Sequence, residues 1–221
     1  MAEKLSTKIK TVLDLTISEP QTLQALLSQK VSGYLLDEGW FESYSTKTSV
    51  GKNGVPIPWF TYPAIDFLTP RLNSSMTLLE YGAGNSTLYF SDRVKFVDAI
   101  EHHEGWHETI SKKTKANAKV HLVPPAEIVN YAQYPLEFSK KYDIIIVDAI
   151  ERVKCMEESI KMISKGGVII LDDSERDEYD DGVKFIKSFG YKDIRFWGMA
   201  PIVLHKKCTT FFYKDENCLG I

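Results

Sequence analysis

The chain predicts an α/β protein built on a doubly wound, mostly parallel seven-stranded sheet whose last strand runs antiparallel. Three observations carry that expectation. After Pro70 come seven short runs rich in Ile, Val and aromatic residues. Helix-compatible segments separate most of them, the pattern of a parallel sheet covered on both faces. The last two runs are joined only by MAPIVLHKKC, too short for a helical crossover, so that pair is expected to be antiparallel.

The runs lie at 77–81, 96–101, 119–123, 142–148, 167–173, 193–199 and 209–214, with helices expected at 86–93, 105–116, 154–163 and 179–189. The lysine-rich KKTKANAK reads as a solvated helix end. Residues 1–70 differ from the rest and read as an N-terminal extension or lid beside a main domain at 71–221. Segments 9–17 and 22–34 suit amphipathic helices, since Leu23, Leu26, Leu27 and Val31 recur at helical spacing. Pro56, Pro58 and Pro63 forbid a continuous helix over 39–68. The aromatics of that stretch, Trp40, Phe41, Tyr44, Trp59, Phe60 and Tyr62, need a surface to pack on. GKNG, residues 51–54, lacks the Gly-Lys-Ser/Thr order of a phosphate loop and reads as a turn.

Composition narrows the function classes. With 43% hydrophobic and 26% charged residues among 221, the chain is an ordinary globular protein. A net charge of -3 supplies no basic field, so nucleic acid is not an expected partner. No apolar run approaches the roughly 18 residues of a membrane span, and the charged N-terminus does not read as a secretory signal. Cys155, Cys208 and Cys218 match no zinc or redox spacing. A cytoplasmic protein is the expectation, with a homodimer left open.

The informative stretch is LLEYGAGNSTLYF, residues 78–90. Gly82 and Gly84 fall where a strand gives way to a helix, at the carboxyl end of the sheet where open α/β folds bind ligands. Asn85, Ser86 and Thr87 can cap that helix and present donors. Glu101 ends the next strand about twenty residues after Glu80, where a carboxylate accepts ribose hydroxyls. A tight turn without ligand is the plainer alternative for the loop itself. GAGNST puts Thr87 where the third glycine of a pyrophosphate fingerprint belongs, which argues against a dinucleotide. Glu80 would repel a pyrophosphate and suit a cationic ligand.

In these pieces, and in AIEHH, YDIIIVDA, KGGVIILDD and the closing strand pair, the sequence resembles the class I S-adenosylmethionine-dependent methyltransferases, over roughly residues 75–215. The resemblance implies a Rossmann-like fold and S-adenosylmethionine as cofactor. It implies that Glu80, Gly82 and Gly84 hold the amino-acid half, with Asn85, Ser86 and Asp148 also among the cofactor-binding residues. Glu101 would take the ribose, His102 or His103 would flank the adenine, and Ala126 and Glu127 would meet its edge. Pro124 and Pro125 depart from the acidic residue usual there.

Asp148 and Asp173 are the candidate catalytic residues. With Asp172 they end the fourth and fifth strands and offer oxygens to one Mg²⁺, a layout similar to that of metal-dependent catechol-type O-methyltransferases. Two plainer readings stand beside it: Asp172 or Asp173 caps the acidic loop DDSERDEYDD, or Asp148 binds cofactor or substrate directly. Trp59 and Tyr62 either close over a substrate or anchor the N-terminal extension to the sheet. Arg152 either binds an acceptor's carboxylate or hydroxyls or simply starts a helix. Cys155 reads as a core residue, and His205 as a surface one. The expected activity is O-methylation of a small molecule or glycan. The alternatives are an aminopropyltransferase-like enzyme and a non-catalytic nucleoside-binding protein.

Overall fold

In a computed structural model of the chain, which describes residues 2–221, seven strands form one sheet in the order β3-β2-β1-β4-β5-β7-β6. They are β1 (Thr77–Tyr81), β2 (Phe96–Glu101), β3 (Ala118–Leu122), β4 (Tyr142–Val147), β5 (Ile163–Leu171), β6 (Lys192–Gly198) and β7 (Lys207–Tyr213). The first five are mutually parallel. Strand β7 pairs antiparallel with both β5 and β6. The chain order reverses between β1 and β4, and their carboxyl ends open there.

Residue alternation explains why these segments become central strands. Leu78, Ile144, Ile146, Val168, Ile170 and Phe211 pack into the core on one face. Their immediate neighbours Leu79, Ile145, Val147, Ile169, Leu171 and Phe212 pack into the core on the other. A strand buried on both sides has no polar face, hence the continuous Ile/Val runs. The first core takes in residues of α5 (Tyr62–Leu68), α6 (Asn85–Ser91) and α7 (Glu104–Ser111). The second takes in α8 (Arg152–Met162) and α9 (Asp180–Ser188).

Helix α7 stops at Ser111, and the lysine-rich stretch behind it is a turn rather than a helix end. The N-terminal helices are α1 (Ala2–Ser18), α2 (Pro20–Ser28), α3 (Tyr34–Asp37) and α4 (Trp40–Thr46). The helix expected over 22–34 ends at Ser28, and a turn with Gly33 at φ 126° leads into α3. GKNG is a short 3-10 turn with Asn53 left-handed.

Residues 40–68 are tied to the sheet's antiparallel edge. The Trp40 indole donates to Val203 O (2.9 Å), Thr61 Oγ1 donates to Phe196 O (3.1 Å), and Tyr62 N donates to Met199 O (2.9 Å). Trp40, Phe60, Tyr62, Ile65 and Leu68 enter the same core as Phe90, Ile144 and Phe211, so packing runs continuously across residue 70. By contrast, Ile9, Val12, Leu13 and Ile17 of α1 and Leu26 and Leu27 of α2 stay exposed. Among the described residues, no helix is long and apolar enough to cross a membrane.

Candidate active site

A cavity of about 520 Å³ lies over the carboxyl ends of β1, β4 and β5. That size suits a cofactor or drug-sized ligand. Gly82, Ala83, Gly84, Asn85 and Ser86 form one wall. Asp148, Arg152, Asp172, Asp173 and Lys207 form another, and Trp59 and Trp106 face it from opposite segments of the chain.

The two glycines of the loop do different jobs. Gly82 has φ 93°, and a Cβ there would stand 2.3 Å from Asp148 O. What passes close to Gly82 is therefore the protein's own β4 terminus. A Cβ at Gly84 would meet nothing nearer than Ser86 Oγ at 3.5 Å, so space is open at that residue.

Thr87, at the position of the missing third glycine, is a bridge. Its hydroxyl donates to Glu80 Oε2 (2.5 Å) and accepts from Gly84 N (3.0 Å). Glu80 thus lies beneath the loop, buried and off the cavity wall. Burial pushes its carboxyl up to about 8, against the opposing hydrogen bonds from Ser86 and Thr87.

Glu101 is held just as firmly. Its Oε1 accepts from the N–H groups of His102 and His103 (both 2.8 Å), and its Oε2 accepts from Ala83 N (3.2 Å). It is buried under the loop and points neither into solvent nor onto the cavity wall. His102 packs edge-on to Tyr131, and Ala126 is exposed; neither lines the cavity. Trp106 does, although nothing in its sequence context singles it out. Its indole donates to Ala83 O and places a ring beside the glycine loop. A Trp three residues after the AIEHH motif is the only sequence signal for it.

The two aromatics expected to act together are separated. Trp59 lines the cavity. Tyr62 is buried against Tyr34, with ring centroids 5.9 Å apart, and does not reach the cavity. Of the two readings open for it, the packing of Tyr62 agrees with anchoring: it is the first residue of α5, its ring is buried in the core, and its backbone N–H donates to Met199 O.

The three aspartates do meet, with one oxygen of each within 4.8 Å of the others. Their partners are protein cations. Lys207 Nζ lies 2.8 Å from Asp172 Oδ2 and 2.6 Å from Asp173 Oδ1. Arg152 Nη2 lies 2.8 Å from Asp148 Oδ1 and 3.4 Å from Asp173 Oδ2. Arg176 Nη2 lies 2.7 Å from Asp173 Oδ2, and Thr209 Oγ1 donates to Asp172 Oδ1 at 2.7 Å.

Burial together with the Asp148 charge pushes Asp172 up to about 7. Burial raises Asp148 as well, against Arg152 and Lys207. For Asp173 burial is outweighed by Lys207, Arg152 and Arg176, and its carboxyl lies below the usual range. As arranged, these residues do not fit Mg²⁺. Three carboxylates already face three cations, and a divalent ion would have to share oxygens with an ammonium. Arg152 does more than start α8. It donates to Ala149 O and Asp172 O as well as to Asp148, tying the ends of β4 and β5 together.

No protein-family model matches the chain, and no curated protein matches it in sequence. Solved structures do match in shape. A precorrin-6y C5,15-methyltransferase from Geobacter metallireducens superposes with a TM-score of 0.57 at 14% identity, covering 77% of this chain and 96% of that one. The fold is that of the class I S-adenosylmethionine-dependent methyltransferases. An O-methyltransferase from Bacillus cereus solved with S-adenosylhomocysteine gives 0.57 at 14% identity, covering 87% and 97%. An rRNA methylase from Streptococcus thermophilus gives 0.53 at 15%, covering 69% and 96%. A precorrin and an rRNA are different acceptors on the same fold, so the methyltransferase fold by itself does not select one.

Proposed function

We propose that the protein is an S-adenosylmethionine-dependent methyltransferase acting on a hydroxyl group of a small molecule or glycan, in the cytoplasm. The observation that carries this reading is the glycine loop. It is held open at Gly84 beside a cavity whose far wall bears Asp148, at the strand-order reversal of a methyltransferase fold. The cysteines, all free, agree with a reducing compartment.

The donor supplies a methyl group on a sulfonium centre when bound. The protein's own work is to bind, orient and deprotonate. Gly84, Asn85 and Ser86 border the space for the amino-acid half, and buried Glu80 holds the loop from beneath through Thr87. Glu101 fixes the loop from beneath through Ala83, so its removal is expected to disorder the loop that borders the donor space. Trp106 provides a ring for the nucleoside end.

Asp148 is the proton acceptor. Its side chain is 27% exposed, against 1% for Asp172 and 10% for Asp173. Among the described residues its Oδ2 accepts no hydrogen bond. A carboxylate with a raised pKa is the better match to an operating pH near neutral. Residues 1–70 would form one cavity wall through Lys47, Thr48, Ser49, Ile57 and Trp59 rather than a detached unit.

Isothermal titration with S-adenosylhomocysteine tests the reading. Saturable binding that Glu101→Ala removes supports it. Absence of heat at high micromolar ligand, from protein shown to be folded, rejects it.

A further inference from the structure

Three carboxylates within one cation's reach, two of them buried, ordinarily need a cation beside them. Here one is built into the chain. Lys207 opens β7, whose antiparallel pairing with β5 sets it beside the β5 terminus and its two aspartates. Its side chain is 7% exposed. Its three donors have three acceptors: Asp172 Oδ2, Asp173 Oδ1 and, at 3.4 Å, Trp59 O. The Trp59 ring centroid lies 5.8 Å from Nζ, so the ammonium is roofed by an aromatic face.

We propose that the Lys207 ammonium is the resident cation of this centre. It occupies the place a divalent ion would take between Asp172 and Asp173, and it makes the site metal-independent. Lys207 is a positioning residue. By pairing with Asp172 and Asp173 it leaves Asp148, the most exposed of the three, as the one carboxylate it does not hold, and through Trp59 it fixes the acceptor wall. Burial by itself would lower the lysine, but Asp172 and Asp173 outweigh it and keep it charged. The inference rests on the proposed methyl transfer for the meaning of the cavity, not for the cation itself.

The test is a Mn²⁺ titration of the full chain, followed by electron paramagnetic resonance and by melting temperature, with S-adenosylhomocysteine affinity measured before and after dialysis against EDTA. The wild-type protein is expected to take up no Mn²⁺ saturably and to keep its nucleoside affinity after EDTA. Lys207→Ala and Lys207→Met are expected to gain one Mn²⁺ per chain and to melt higher when Mn²⁺ is added, because removing the ammonium frees two carboxylates. Lys207→Arg, which keeps the charge, is expected to stay silent.

Saturable Mn²⁺ uptake by the wild type, lost in Asp172→Asn, would overturn the proposal. A folded Lys207→Ala that takes up no Mn²⁺ overturns it too. Should both neutral variants fail to fold, wild-type silence supports the proposal and wild-type uptake still defeats it. Failure of S-adenosylhomocysteine to bind sinks the donor reading alone, because the Mn²⁺ arm reads different residues.

Discussion

Two buried acid clusters sit in the same sheet, and they behave in opposite ways. Asp98, in the middle of β2, accepts from His121 Nε2 (2.8 Å), Lys140 Nζ (2.6 Å) and the Tyr142 hydroxyl (2.8 Å). Burial pushes its carboxyl up, but these partners outweigh it and leave the group below its usual value. At the strand ends, Asp148 and Asp172 also have cationic partners, yet both are raised. The difference is crowding. Asp98 is one carboxylate with three donors, whereas at the strand ends three carboxylates share the cations: Asp173, paired with Lys207, Arg152 and Arg176, stays low, while Asp148 and Asp172 bear burial and their neighbours' charge. Raised acids beside a cavity mark chemistry, while a lowered acid within a strand marks structure.

That contrast can be broken by mutation, and the largest expected effect is on catalysis. Asp148→Asn removes the proton acceptor and is expected to cut turnover by roughly 10²–10⁴. S-adenosylhomocysteine binding should remain, and release of that product with a panel of phenolic and sugar acceptors reads the loss. Asp98→Asn with unchanged turnover but a lower melting temperature completes the comparison.

The two lysines should differ next. Lys207→Ala leaves buried charge uncompensated and is expected to cost about 3–5 kcal/mol in denaturant unfolding. Lys140, 46% exposed, is screened by solvent, so Lys140→Ala is expected to cost no more than about 1 kcal/mol. Equal costs would mean that the strand-end cluster is as wet as the surface.

Trp106→Ala is expected to weaken S-adenosylhomocysteine binding by about 1–3 kcal/mol, the range for stacking a base on an aromatic ring, with little change in stability. An unchanged affinity would move the nucleoside end elsewhere.

The remaining effect is a slope. Glu80 is raised from 4.5 to about 8, so between those values the folded chain keeps a proton that the unfolded chain releases. Its contribution to stability therefore falls as pH rises across that window, by at most about 1.4 kcal/mol per unit. Asp98 has the reverse sign. Its contribution is present above its unfolded value of 3.8 and is lost as pH falls through its lower folded value. Melts across pH should show Glu80→Gln flattening the decline between about 4.5 and 8 and leaving the acid-side loss from Asp98 unchanged.

The comparison also shows where sequence reading stops. Helix and strand positions, the glycine loop and the antiparallel closing pair are legible because each depends on neighbours within a few residues. The same holds for the aspartates, each recognisable as the end of an Ile/Val run. Asp98 was not legible as an ionic site, because its partners stand 23, 42 and 44 residues away.

The sequence by itself determined a parallel α/β sheet, a glycine bend at the end of its first strand, and acids at the tips of the strands beside it. Only tertiary structure decided that Gly82 yields to the Asp148 carbonyl, that Tyr62 is core while Trp59 and Trp106 face the cavity, and that Lys207 meets Asp172 across 35 residues. The physical reason is one of range: backbone periodicity is set locally, whereas the partner of a buried charge is set by which strand ends up beside which.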